Sequence, residues 1–143
     1  EKNESFSLMF VDIDHFKNVN DNYGHNAGES VICGVAEILQ TCISNNDIVS
    51  RFGGEEFCVY LHNETGTQAI EIAENMRREI ESSHFGGISI TCCFGVSSIK
   101  FNAKSYLELI NQADLALYQS KSLGRNKVTM WSKELEKKSN KAL

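Results

Sequence analysis

The sequence predicts an α/β (α+β) domain in which helices flank a mixed sheet. Three observations carry that expectation. Strand-like and helix-like hydrophobic periods alternate along the chain; a glycine pair, Gly53-Gly54, joins two strand-like runs in the middle of that alternation; and no proline, repeat or Gly/Ser-rich stretch interrupts it. The length of 143 residues suits one domain with a real core.

The first strand starts at Phe6. Phe6, Leu8 and Phe10 lie on one face and Met9, Val11 and Ile13 on the other, both apolar as in a central strand. Its even face ends in Asp12 and Asp14, which leave the same side of the sheet at its C-terminal edge, where ligands of open α/β sheets bind. Asp14 reads as the N-cap of the helical turn HFKNVNDN. Asp12 has no such role: it interrupts an apolar strand, and a carboxylate there needs a cation or donors. After YGHNAG, an amphipathic helix carries Val31, Ile32, Val35, Ile38, Leu39, Cys42 and Ile43, with Asn26 and Glu29 spaced as a capping box. DIVSRF and EEFCVYL are strands, and Gly53-Gly54 predicts a two-residue hairpin turn between them. A helix follows from about Thr67 to Ser82. ISITCCFGVSS alternates as a strand whose Ser89, Thr91 and Cys93 side is the less buried. The last helix opens on a capping box, Ser105 with Glu108, and stops at Gly124 before a final strand, KVTMW. Residues 1–131 are therefore expected to form the domain, and the polar tail 132–143 to fray or form a solvated helix.

Composition narrows the function. Fourteen basic against 19 acidic residues give a net charge of -5, which argues against a nucleic-acid backbone as partner. No apolar stretch reaches the roughly 20 residues of a membrane span, and EKNESF lacks the pattern of a signal peptide. Cys33, Cys42, Cys58, Cys92 and Cys93 lie in apolar periodic segments without a C-x-x-C pair, as reduced core thiols of a cytoplasmic domain would.

The candidate chemistry centres on RFGGEEF. Glycines let backbone and ligand approach closely, and Glu55 and Glu56 beside them can meet Asp12 at one sheet edge. Two or three hard oxygens in that place suit Mg²⁺, with water and phosphates completing its shell. Taken alone, two adjacent glutamates after a turn are also what a solvated loop carries. Lys121 and Arg125, one helical turn apart by number, suit either terminal phosphates or a helix C-terminus. Asn20 and Glu29 suit guanine, although Glu29 also fits its capping box. His25 reads as a loop-bracing side chain unless a nucleotide lies beside it.

Together FVDIDHFKNVNDNYGHNAGE, SRFGGEEF and ADLALYQSKSLGRNKV resemble the GGDEF domain of diguanylate cyclases, in that family's order and spacing, over about residues 6–131. The resemblance implies a mainly antiparallel five-stranded sheet of the nucleotidyl-cyclase and polymerase-palm type. It also implies condensation of two GTP into cyclic di-GMP and two pyrophosphates by a two-fold homodimer using Mg²⁺ or Mn²⁺. By the same resemblance Asp12, the Ile13 carbonyl and Glu55 are metal ligands, and Glu55, Glu56 and Lys17 are catalytic. Asn20, His25, Glu29, Gly53, Gly54, Lys121 and Arg125 then contact substrate. Two departures stand out. Most family members have Asp at the position of Glu29. The inhibitory Arg-x-x-Asp appears as SNND, with Asp47 kept and Ser44 in place of arginine, so product inhibition is expected to be weak. The family's usual N-terminal helix is also missing, which leads to the expectation of a longer parent protein, soluble or membrane-anchored, with an upstream sensor or dimerisation module. The alternative function is a regulatory module that binds GTP or cyclic di-GMP without turnover.

Overall fold

The computed structural model describes residues 5–62, 66–99 and 103–135. Its elements run β1 (Phe6–Ile13), α1 (Phe16–Tyr23), α2 (His25–Thr41), β2 (Ile48–Arg51), β3 (Glu56–His62), α3 (Gly66–Glu81), β4 (Cys92–Ser98), α4 (Tyr106–Ser122) and β5 (Val128–Met130). The five strands form one mixed sheet in the order β2-β3-β1-β4-β5, antiparallel except for the β4–β5 pair.

The doubly apolar pattern of β1 has its explanation in this order, because β1 is the central strand and both its faces are covered. Met9, Val11 and Ile13 join Phe57, Val59, Phe94 and Val96 in a core closed by α1, α2 and α3. Phe6, Leu8 and Phe10 face Leu109, Ala113 and Leu117 of α4. The helix lies so close to the sheet that a Cβ on Gly95 would stand 2.1 Å from the Leu117 nitrogen and 2.3 Å from the Ala113 carbonyl oxygen.

Several local expectations change. The strand predicted from Ile88 begins only at Cys92, since Gly86 and Gly87 turn the chain with φ of 59° and 85° and β1, its neighbour, ends at Ile13, the partner of Cys92. Cys93 is fully buried, because α4 covers the face that polarity made look exposed. Cys33 is exposed rather than core. The hairpin is not a two-residue turn. Arg51 pairs with Phe57 and the Phe52 N–H donates to the Glu56 carbonyl at 3.0 Å, which leaves Gly53, Gly54 and Glu55 as the loop. The third loop residue is drawn onto the sheet, where the Ile13 N–H donates to the Glu55 carbonyl at 3.2 Å. Ser105 does cap α4 by accepting from the Glu108 N–H. Of the polar tail, Leu135 packs with Trp131 and Ala116, so its first residues belong to the fold; residues 136–143 lie outside the described residues.

Candidate active site

The end of β1 and the hairpin bring the acids together. Asp12 is paired across the sheet with Glu56 and is nearly fully buried. Lys121, near the end of α4, places its Nζ 2.5 Å from Asp12 Oδ2. Burial acts to lower the Lys121 pKa, but the hydrogen bond and charge of Asp12, with Glu56 behind, outweigh it and hold the ammonium above its ordinary value. Burial raises the Glu56 carboxyl above its usual range and the charge of Asp12 adds to this, while Lys121 opposes both. The edge therefore carries more negative charge than Lys121 alone offsets.

Beside it lies a cavity of about 290 Å³. Lys17, Asn20, His25, Glu29, Gly54 and Glu55 line it, so six of the predicted site residues share one space. Phe16 and Ile32 add apolar surface. The kink that assembles this wall is Gly24, whose φ of 93° lets α1 and α2 follow each other without a loop. Gly24 is therefore the N-cap of α2, and the predicted Asn26–Glu29 capping box does not form: Asn26 is already inside the helix, and no side chain caps it. Glu29 instead faces Arg51, whose two terminal nitrogens approach its carboxylate oxygens at 3.4 and 3.3 Å. Arg51 Nε also donates to the Gly54 carbonyl at 3.0 Å, tying the α2 carboxylate to the hairpin loop. The Asn20 Oδ1 is buried without a partner, and a Cβ on Gly28 would stand 1.9 Å from it. Only glycine at position 28 leaves room for that amide.

Lys17 is well exposed and 4.0 Å from Asp21. Arg125 does not share a helix with Lys121 as their spacing suggested. Helix α4 ends at Ser122, and Arg125 follows Gly124 in a left-handed conformation with φ of 67°, its Nη1 3.9 Å from Asp14 Oδ1. Asp14 is not an N-cap either, since His15 occupies that position with φ of 55° and no side chain caps α1. The Asp14 carboxylate is buried and accepts from Thr91 Oγ1 at 2.7 Å, Cys93 Sγ at 2.9 Å and the Asn126 N–H at 2.9 Å.

Asp47 lies away from this site. Its two oxygens accept the Ser44 and His62 N–H groups at 2.9 and 2.8 Å, so its carboxylate is taken up in holding the turn before β2. A further cavity, of about 450 Å³, opens beyond Asp14 between α1 and the 88–91 segment and contains none of the hairpin acids.

Sequence reasoning missed Arg51, Asn126, Arg77 and Glu81. Arg51 adjoins the glycine pair, which was the available signal, but its partner is 22 residues away. Asn126 follows the Gly124-Arg125 pair beyond α4, where an asparagine suits a left-handed turn, but nothing in the local sequence marks Arg77 or Glu81.

Sheet order, a glycine–glutamate hairpin against the central strand and the cavity beside it define an α+β domain built on a mixed five-stranded sheet. Within that class the chain belongs to the GGDEF family: residues 1–127 match the family described as diguanylate cyclase, GGDEF domain. The chain is 44% identical over 141 residues to diguanylate cyclase A of Treponema denticola, covering 96% of this chain and 38% of that protein, so it spans less than half of that relative's length. Among solved structures it is similar to one described as the active GGEEF domain of a diguanylate cyclase from Vibrio cholerae, with a TM-score of 0.84 and 34% identity over 90% of this chain and 83% of that one. A GGDEF domain from Pseudomonas aeruginosa has a TM-score of 0.92 and 27% identity, over 97% and 84% of the two chains.

Proposed function

We propose that this domain condenses two GTP molecules into cyclic di-GMP and two pyrophosphates, one GTP per subunit of a two-fold homodimer. The observation that carries the reading is the shared cavity, which sets guanine-matching groups, Asn20 and Glu29, within the same 290 Å³ as the hairpin carboxylate Glu55. The relative described as active carries the same GGEEF form of the hairpin.

The donors fit a hard divalent cation, Mg²⁺ or Mn²⁺. Among the described residues no three His, Cys, Asp or Glu side chains gather to hold a metal alone. Asp12 and Glu55 with the Ile13 carbonyl are the partial oxygen set that such ions take when phosphates complete the shell. Bound there, the ion would polarise phosphoryl oxygens and acidify the attacking hydroxyl.

The chain's own residues supply the rest. Glu29 accepts the guanine N1–H and N2–H, with Arg51 holding its carboxylate beside the hairpin loop at the cavity. Asn20 presents its amide to the base, and His25 and Gly54 border the nucleotide. Lys121 and Arg125 hold the terminal phosphates. Glu55, with Glu56 beside it, takes the proton of the ribose 3′-hydroxyl. That oxygen attacks the α-phosphorus of the GTP on the other subunit, and the bond from this phosphorus to the pyrophosphate oxygen breaks. Lys17, exposed at the surface and loosely paired with Asp21, offsets the charge that develops on the phosphoryl oxygens. The same step with the roles exchanged closes the ring, which is why two subunits must face each other.

Chromatography of products after incubation with GTP and Mg²⁺ tests the reading. Cyclic di-GMP is expected, and Glu55→Ala should lower its rate about a hundredfold or more. GTP binding without product, even when dimerisation is enforced by a fused coiled coil, would favour the regulatory module instead. The wider protein would supply the sensor or dimerisation module; among the described residues no helix is long and apolar enough to cross a membrane.

A further inference from the structure

The turn after α4 holds three consecutive residues of positive φ: Gly124 at 112°, Arg125 at 67° and Asn126 at 50°. For glycine this is free; for two successive side-chain-bearing residues it is strained unless the surroundings impose it. The surroundings do so at Asn126. Its N–H donates to Asp14 Oδ2 at 2.9 Å, its Oδ1 accepts from Arg77 Nη1 at 3.1 Å, and its Nδ2 donates to Glu81 Oε2 at 2.9 Å. Arg77 is itself fixed by Glu74 at 2.7 Å, and the neighbouring Arg125 N–H donates to the Ser120 carbonyl at 3.0 Å. Asparagine is the side-chain-bearing type that best tolerates this conformation, and here its backbone N–H and both ends of its amide are held by groups from β1's end and α3.

We propose that Asn126 is a positioning residue: clamped by Asp14, Arg77 and Glu81, it imposes the left-handed turn that sets where the Arg125 guanidinium stands. The inference deepens the proposed function and rests on its assignment of Arg125 to the terminal phosphates. In consequence α3, which contributes no residue to the nucleotide cavity, helps determine triphosphate recognition. An alanine at 126 removes both amide contacts and disfavours the backbone. A glycine keeps the backbone and the N–H to Asp14 but loses the amide clamp.

The test compares affinities for guanosine α,β-methylene triphosphate, which cannot turn over, and for GMP, which lacks the phosphates that Arg125 would hold. In the wild type the triphosphate should bind more tightly. Asn126→Ala should weaken triphosphate binding about tenfold, the scale of one charge-assisted hydrogen bond, and GMP binding by less than about twofold. The double variant Arg125→Ala/Asn126→Ala should be no worse than Arg125→Ala alone. Asn126→Gly, available should the alanine variant not fold, should show a smaller loss of the same selectivity. Equal losses for both nucleotides, an unchanged selectivity in the folded variants, or additivity with Arg125→Ala would overturn the clamp while leaving the site reading intact. A wild type with no preference for the triphosphate would overturn the site assignment and the clamp with it.

Discussion

At the scale of the residue, burial decides more than residue type. Asp12 in β1 and Asp14 just beyond its end are two residues apart, yet Asp12 meets a lysine ammonium at 2.5 Å and Asp14 meets a hydroxyl, a thiol and a backbone N–H, with the Arg125 guanidinium farther off at 3.9 Å. The cysteines show the same dependence. Burial pushes the Cys58 thiol up to about 11, and burial with the hydrogen bond to Asp14 pushes Cys93 up to about 12. Both folded values lie above the ordinary thiol value of 9.0, so the unfolded chain releases these protons first as the pH rises. Their contribution to stability is thus complete below about pH 9 and is lost as the pH climbs toward the folded values. Urea midpoints should hold between pH 7 and 8 and decline above about 9, and Cys58→Ala should flatten part of that decline. A midpoint insensitive to pH up to 10.5 in the wild type would remove these thiols from the account.

Elements are placed by what crosses over them. Helix α4 sits on β4 at a glycine, with Ser97 Oγ donating to Gln112 and Ser120 Oγ donating to the Phe94 carbonyl at 2.8 Å. The sequence shows Gly95 only as a glycine within a strand, a sign of close backbone approach without saying by what. Because the atoms a Cβ would meet are backbone, they cannot rotate aside, and α4 with Lys121 must move. Gly95→Ala should cost about 3 kcal/mol in urea unfolding, at the upper end for overpacking, and lower GTP affinity with it. A cost near zero would mean that α4 lifts off the sheet easily.

For the whole molecule, the order of the strands makes the site. Placing β1 between β3 and β4 brings the hairpin loop, 40 residues downstream in sequence, onto the end of the strand bearing Asp12. Any product inhibition would also belong to this scale, since a family-type inhibitory site would lie at the start of the edge strand β2, whose other end, Arg51, lines the catalytic cavity. Asp47 there already holds two backbone N–H groups, so removing it would perturb the fold as well as any ligand. The cleaner change is Ser44→Arg. It should strengthen cyclic di-GMP binding by about tenfold or more, through a bidentate phosphate contact, measured by calorimetry. Unchanged binding would show that this edge does not receive the product.

The sequence by itself determined the element order, the doubly buried β1, the family and the acids at the sheet edge, because periodicity and contiguous motifs are local properties of the chain. It also named six residues that prove to share one cavity. Only the tertiary structure decided that Glu29 faces Arg51 rather than a helix N-terminus, that Asp14 is a buried acceptor rather than a cap, and that Asn126 is clamped by α3. Those contacts join residues 22 to 112 positions apart. Local pattern cannot encode them, since they arise only when the packing of the helices on the sheet fixes which polar groups meet.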